Sequence, residues 1–219
     1  MAEKFTGKVA VITGGSTGMG LATAKRFVRE GMDHVFITGR RQDALDRAVA
    51  EIGRNVTAVQ GDVANLSDLD RLYDEVRKHN RKLDVVFANA GVAELAPFAA
   101  VDEKFYDLHF DANVKGMFFT VQKALPLMND GGSIILTGSI ADVKGFPSIS
   151  VYSATKAAVR SFARTWTSEL KDRRISREHY QSGTYRYADF RYLAAGRGPD
   201  EDERRPRKKR SVGQARRSR

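Results

Sequence analysis

Eight residues near the start of the chain, Thr13-Gly14-Gly15-Ser16-Thr17-Gly18-Met19-Gly20, restrict its possible folds more than any other stretch. An apolar run, Val9–Thr13, precedes them and a helical pattern begins near Leu21. Glycines at 14, 18 and 20 permit a tight turn, close approach of the backbone to a bound group, and close packing of helix on strand. The helix start adds unpaired N–H groups and the positive end of its dipole. A purely structural glycine turn is the competing reading. The strand before and the helix after favour a phosphate cradle, with Gly14, Ser16, Thr17, Gly18, Met19 and Gly20 as its contacts.

The rest of the pattern extends that unit into a sheet. Val9–Thr13, His34–Thr38, Val56–Gln60, Val85–Asn89 and Ser133–Thr137 read as strands, and each is followed by a segment of helical period. Strand runs with little polar alternation suit a parallel sheet covered on both faces, so the expectation is an α/β, doubly wound domain. At 219 residues one such domain is the prior. Ser150–Leu170 places Val151, Ala154, Ala158, Phe162 and Trp166 at helical spacing, so that face, Trp166 included, is expected to pack on the sheet.

Tyr152 and Lys156 lie four apart on that helix and can address one site. With 7 Tyr in the chain, about 0.4 Tyr-x-x-x-Lys pairs arise by chance, so spacing alone proves little. Position carries more weight. The pair follows a strand ending near Ser139 and lies downstream of the phosphate cradle. A free tyrosine titrates near pH 10, and a neighbouring ammonium favours its phenolate, which would suit Tyr152 to proton transfer.

Taken in order, the T-G-x-x-x-G-x-G turn, Asp62-Val63, Ala88-Asn89-Ala90-Gly91, Asn113, Ser139 and Tyr152-x-x-x-Lys156 resemble the short-chain dehydrogenase/reductase family up to about residue 175. Ala88 departs from the pattern, standing where the family has a first asparagine. The resemblance implies a Rossmann-type sheet and hydride transfer between a nicotinamide dinucleotide and a carbonyl or alcohol substrate. It further implies that Asp62 and Val63 contact adenine, that Asn89, Ala90 and Gly91 line the cofactor, and that Lys156 binds the nicotinamide ribose. Ser139 would hold the substrate oxygen, and Asn113 would anchor a water in a proton relay. Taken alone, Ser139 reads equally as a turn serine. Substrate would be lined from Glu94–Phe98 and Ile140–Phe146.

Sites that prefer NAD usually carry an acid at the end of the second strand. Here Gly39 stands there, followed by Arg40 and Arg41. A guanidinium fork suits a ribose 2′-phosphate, so NADP(H) is expected in preference to NAD(H). The alternative is that both arginines belong to a solvated helix start.

After Arg174 the periodicity stops, and residues 176–219 read as an irregular basic tail following a catalytic domain at 1–175. The family's last strands and substrate lid have no counterpart there. One back-translation of Ser176–Tyr192, read one nucleotide out of frame, gives R-V-N-T-I-S-P-G-P-I-D-T, which resembles the family's sixth strand and the turn after it. The tail is therefore read as an out-of-frame C-terminus, with impaired activity as its expected consequence. Of the formal charge of +10, the first 175 residues contribute +3 and the tail +7. That asymmetry supports one competing reading, a non-catalytic dinucleotide-binding or nucleic-acid-binding protein using the tail. The tail lacks the aromatic stacking pattern of specific binders, so no specific nucleic acid is expected. Cysteine is absent and the four histidines have no ligand spacing, which argues against a metal site. No apolar run is long enough to span a membrane, so a cytoplasmic protein is expected. The family resemblance implies a homo-oligomer, tetramer or dimer.

Overall fold

The structure, a computed structural model, describes residues 4–182, with side chains as far as Ser176. Six strands, β1 (Val9–Thr13), β2 (His34–Gly39), β3 (Val56–Gln60), β4 (Leu83–Ala88), β5 (Met128–Ser139) and β6 (Ser176–Ser182), form one sheet in the order β3-β2-β1-β4-β5-β6. Every neighbouring pair is parallel. Parallel neighbours need crossovers, which α1 (Gly18–Arg29), α2 (Gln42–Ile52), α3 (Leu66–Lys78), α4 (Glu103–Phe110), α5 (Met117–Ala124) and α6 (Ser150–Glu169) supply. The expected doubly wound architecture is therefore present. β1 is buried at all five positions, as a central strand covered on both faces must be.

The order reverses between β1 and β4, and such a switch point opens a crevice beyond the carboxyl ends of the two strands. Opposite the crevice, Asp84 ties the sheet together. Its carboxylate accepts from the Val9 amide at 2.9 Å, Lys8 Nζ at 3.0 Å and Asn129 Nδ2 at 3.1 Å. A buried carboxylate with three donors is satisfied rather than orphaned.

Two expectations need correction. The buried face of α6 runs Val151, Thr155, Lys156, Val159 and Trp166, whereas Ala154 is exposed and Ala158 only half-buried. Two polar residues, Thr155 and Lys156, occupy the sheet side, and hydrophobic spacing alone placed the face one residue away. The second correction is β6, found where an irregular tail without strands was expected. Arg174, at φ 52°, turns the chain and buried Ile175 seats it, after which Ser176–Ser182 pairs in register with Ser133–Ser139. The open edge of β5 presents backbone donors and acceptors that any extended segment can satisfy, so this strand needs no side-chain periodicity. The remainder of the tail, from residue 183 onward, lies outside the described residues.

Candidate active site

The glycine turn leaves β1 with Gly14 in the left-handed region at φ +65°. Its neighbours show why glycine stands at two of these positions. A Cβ on Gly14 would meet Asn89 Nδ2 at 2.9 Å, and one on Gly20 would lie 2.2 Å from the Gly14 carbonyl oxygen. The start of α1 therefore packs directly on the turn. Gly18 is also left-handed, at φ +56°, but faces open space. Thr17 precedes the helix without a side-chain cap, and no acid occupies the first turn, so the N–H groups of that turn have no local anion to serve. Gly15, which the sequence reading passed over, packs on Ile37, where a Cβ would approach to 2.7 Å.

Beside this turn lies a cleft of about 680 Å³ lined by Gly14, Ser16, Thr17, Arg40, Asp62 and Gly91, among others. Arg41, Val63 and Ala90 also line it. Of the expected cofactor residues, Gly14, Ser16, Thr17, Arg40, Arg41, Asp62, Val63, Ala90 and Gly91 thus converge, whereas Gly18, Met19, Gly20, Asn89, Tyr152 and Lys156 are not on its wall. Asn89 instead braces the wall. Its Nδ2 donates to the carbonyls of Thr13 and Gly14, and its backbone amide and that of Ala90 both donate to Thr13 Oγ1 at 3.0 Å. Thr13 was not foreseen, although a polar residue ending an apolar strand was the available signal. A Cβ on Gly39 would come within 2.9 Å of the Ser16 hydroxyl, so the end of β2 lies close beside the turn. Asp62 accepts from the Ala64 amide at 3.0 Å, and buried Val63 packs on Gly116, where a Cβ would come within 2.8 Å.

These features fit a dinucleotide: an uncapped helix start, glycines where backbone must approach backbone, two guanidinium groups and a cleft of about 680 Å³. Two of the expected catalytic residues, Asn113 and Lys156, adjoin this cleft at Gly91. A Cβ there would lie 2.7 Å from Asn113 Oδ1 and 3.9 Å from Lys156 Nζ.

Asn113 sits in a wide π turn, Asp111–Gly116, between α4 and α5. Its side chain is fully committed, with Oδ1 accepting from the Val92 amide at 2.8 Å and Nδ2 donating to the Val92 carbonyl at 2.9 Å and to Thr155 Oγ1 at 3.2 Å. Thr155 in turn donates to the Tyr152 carbonyl at 2.7 Å. Lys156 is buried and donates to the Thr137 carbonyl at 2.8 Å. Burial lowers its pKa from 10.5 to about 8. Its Nζ lies 5.5 Å from the centre of the Tyr152 ring. Ser139, also buried, accepts from the Ala141 amide at 3.2 Å. Thr155, like Gly15 and Thr13, is a residue the sequence reading missed.

Comparison with known proteins agrees with this arrangement. The family model described as short chain dehydrogenase matches residues 8–189. Oxidoreductase asL5 of Sarocladium schorii is 52% identical over 175 residues, covering 79% of this chain and 70% of that protein. A probable tetrahydroxynaphthalene reductase of Zymoseptoria tritici is 34% identical over 178 residues, covering 80% and 67%. Among solved structures, an L-sorbose reductase from Gluconobacter frateurii, in complex with NADPH and L-sorbose, superposes with a TM-score of 0.75 at 30% identity, covering 80% of this chain and 68% of that one. A short-chain dehydrogenase/reductase from Serratia marcescens reaches 0.79 at 30% identity, covering 82% and 75%.

Proposed function

The chain belongs to the short-chain dehydrogenase family, and from that premise we propose that it uses NADP(H) to reduce an uncharged ketone, with Tyr152 as proton donor. The broader chemistry follows from the family, which transfers hydride between NAD(P) and a carbonyl or alcohol carbon. The observation that carries the finer reading is Gly91, which lines the phosphate cleft and is so placed that a Cβ there would lie 2.7 Å from Asn113 Oδ1 and 3.9 Å from Lys156 Nζ.

In this reading Gly14, Ser16, Thr17, Gly18, Met19 and Gly20 hold the pyrophosphate, Asp62 and Val63 the adenine, and Asn89, Ala90 and Gly91 the nicotinamide ribose side. Arg40 and Arg41, on the cleft wall beside Gly39, where NAD sites usually carry an acid, suit a 2′-phosphate. Nicotinamide supplies the hydride when bound. The protein's own groups manage the proton. Ser139 Oγ orients the substrate oxygen, and the Tyr152 hydroxyl delivers the proton to it. Lys156, with a pKa of about 8, is mostly ammonium at pH 7 and supplies the positive charge that eases loss of the tyrosine proton. The side chain of Asn113 is occupied, so its proposed relay water would sit on backbone carbonyls that the π turn takes out of α register.

Exposed Leu95, Val143 and Phe146 favour an apolar substrate, consistent with the tetrahydroxynaphthalene named for one relative. The segment from Ser176 onward we read as the out-of-frame counterpart of the family's C-terminus. Among the described residues, no helix is long and apolar enough to cross a membrane.

Titrating the protein with NADPH and NADH, followed by nicotinamide fluorescence, tests the cofactor. NADPH is expected to bind at least about tenfold more tightly. Equal or tighter binding of NADH would reject the assignment of Arg40 and Arg41. NADPH oxidation against bicyclic and acyclic ketones tests the reaction.

A further inference from the structure

After β4 the chain runs without regular secondary structure from Asn89 to Pro97. Three alternate backbone amides in this segment are nevertheless held. The Val92 amide donates to Asn113 Oδ1 at 2.8 Å, the Glu94 amide to His109 Nε2 at 3.1 Å, and the Ala96 amide to the Ser148 carbonyl at 3.0 Å. His109 and Asn113 are four residues apart, so they share one helical face.

His109 is fully buried. A peptide amide can only donate, so Nε2 must carry the lone pair and Nδ1 the proton. The Phe105 carbonyl, 2.9 Å from Nδ1, takes that proton as a hydrogen bond. The ring is therefore satisfied at both ends in one tautomer only, and an imidazolium would lose the Glu94 contact.

We infer that His109 is a positioning residue for the carbonyl substrate, pinning Glu94 and with it the apolar segment that follows. The inference rests on the proposed function, in which this segment lines the substrate. Leu95 and Phe98 are 70% and 84% exposed, so core packing does not fix them. Backbone hydrogen bonds must set where they stand. Without the middle bond, the segment beyond Val92 is held by Ala96 alone, and its acceptor Ser148 sits at the unfavourable φ of 65°. The cofactor side is fixed separately, because Asn113 holds both polar groups of the Val92 backbone. Tyr152 is also fixed separately, through Thr155 and Asn113.

Three variants test the pin. His109→Phe keeps an aromatic ring against Phe105 but removes the acceptor. Glu94→Pro removes the donor from the exposed side of the same bond, so it does not disturb the core. His109→Gln returns an acceptor at about the place of Nε2. For a ketone that the wild-type protein reduces, the first two should raise KM about tenfold while kcat stays within about threefold, as loss of one buried hydrogen bond implies. NADPH affinity should not change. Amide hydrogen exchange at residues 93, 95 and 96 should quicken in both, and His109→Gln should return KM and exchange towards wild type. Unchanged KM, equal losses in KM, kcat and NADPH affinity, or failure of glutamine to restore either readout would overturn the inference. If wild type binds NADPH but reduces no ketone, the proposed function falls, and exchange alone decides the pin: quickened by phenylalanine and slowed again by glutamine supports it, unchanged refutes it.

Discussion

Replacing Lys156 with methionine should abolish turnover and yet stabilise the protein. The side chain is 3% exposed, and burial lowers its pKa from 10.5 to about 8. That difference corresponds to roughly 3 kcal/mol of penalty on the ammonium form in the folded state. Methionine removes the penalty and keeps the volume, but forfeits the hydrogen bond to the Thr137 carbonyl, which offsets about 1 kcal/mol. The net expectation at pH 7 is a gain of about 2 kcal/mol. The pH dependence is more diagnostic than the gain. Between pH 8 and 10.5 the unfolded chain keeps the Lys156 proton while the folded protein releases it, so wild-type stability rises with pH through that window from this group. Lys156→Met lacks this contribution, and the gap between the two proteins should close as pH rises. Urea unfolding without dinucleotide at pH 7 and at pH 9.5 measures both quantities, and groups common to both proteins cancel in the difference. A variant less stable than wild type at pH 7, or a gap independent of pH, would refute the claim that burial disfavours this ammonium.

Three further outcomes are expected. Gly20→Ala puts a methyl group 2.2 Å from the Gly14 carbonyl, so thermal unfolding should show a loss of about 1–3 kcal/mol and fluorescence titration a weakened NADPH complex, whereas Gly18→Ala, facing open space at φ +56°, should lose only about 1 kcal/mol of stability. Burial and neighbouring His79 hold the His34 pKa at about 4, so stability should fall as pH drops from about 6.5 towards 4, and the urea midpoint of His34→Gln should show a shallower fall. Restoring the reading frame after Ile175 should raise NADPH-dependent ketone reduction and stability together, and Tyr152→Phe should remove the activity of the repaired chain without changing NADPH affinity; equal activity of the given and repaired chains would reject the frame reading.

The parts of the fold that declared themselves in the sequence are those where one physical requirement acts alone. β1 has the expected limits because a central parallel strand covered on both faces is a plain apolar run, and β3, an edge strand with only Val59 buried, has them because Val56, Thr57 and Val59 are β-branched. The glycine turn was legible because a left-handed φ and a 2.2 Å approach admit little else. Where two requirements compete, the reading slipped. β5 begins at Met128, five residues earlier than expected, across a register shift opposite Leu83 and Val85, in a stretch whose Gly131 and Gly132 look like a loop. The π turn around Asn113 has no sequence signal, since the composition of Asp111–Gly116 would serve an α-helix equally well. β6 was invisible because its pairing is made by the backbone. His109 passed unnoticed among four histidines without ligand spacing, because its role depends on an amide fifteen residues away.

α6 shows how such competition is settled within one element. Its N-terminal half turns Thr155 and Lys156 inward, which hydrophobic patterning forbids and desolvation penalises. Its C-terminal half compensates. Phe162 stacks on Trp166 at 5.2 Å, and Phe118 of α5 meets both rings, at 5.4 Å and 5.7 Å, in contact with a core that also holds Val159 and Ile175. Aromatic pairs of this kind contribute about 0.5–1.5 kcal/mol each beyond their burial, comparable in sum to the cost of the buried ammonium. The same helix can therefore hold a destabilising charge near one end because its far end is well packed by aromatic rings. Ile175, a member of the same core, is also the residue from which β6 departs to pair with β5, the strand whose Thr137 carbonyl holds Lys156.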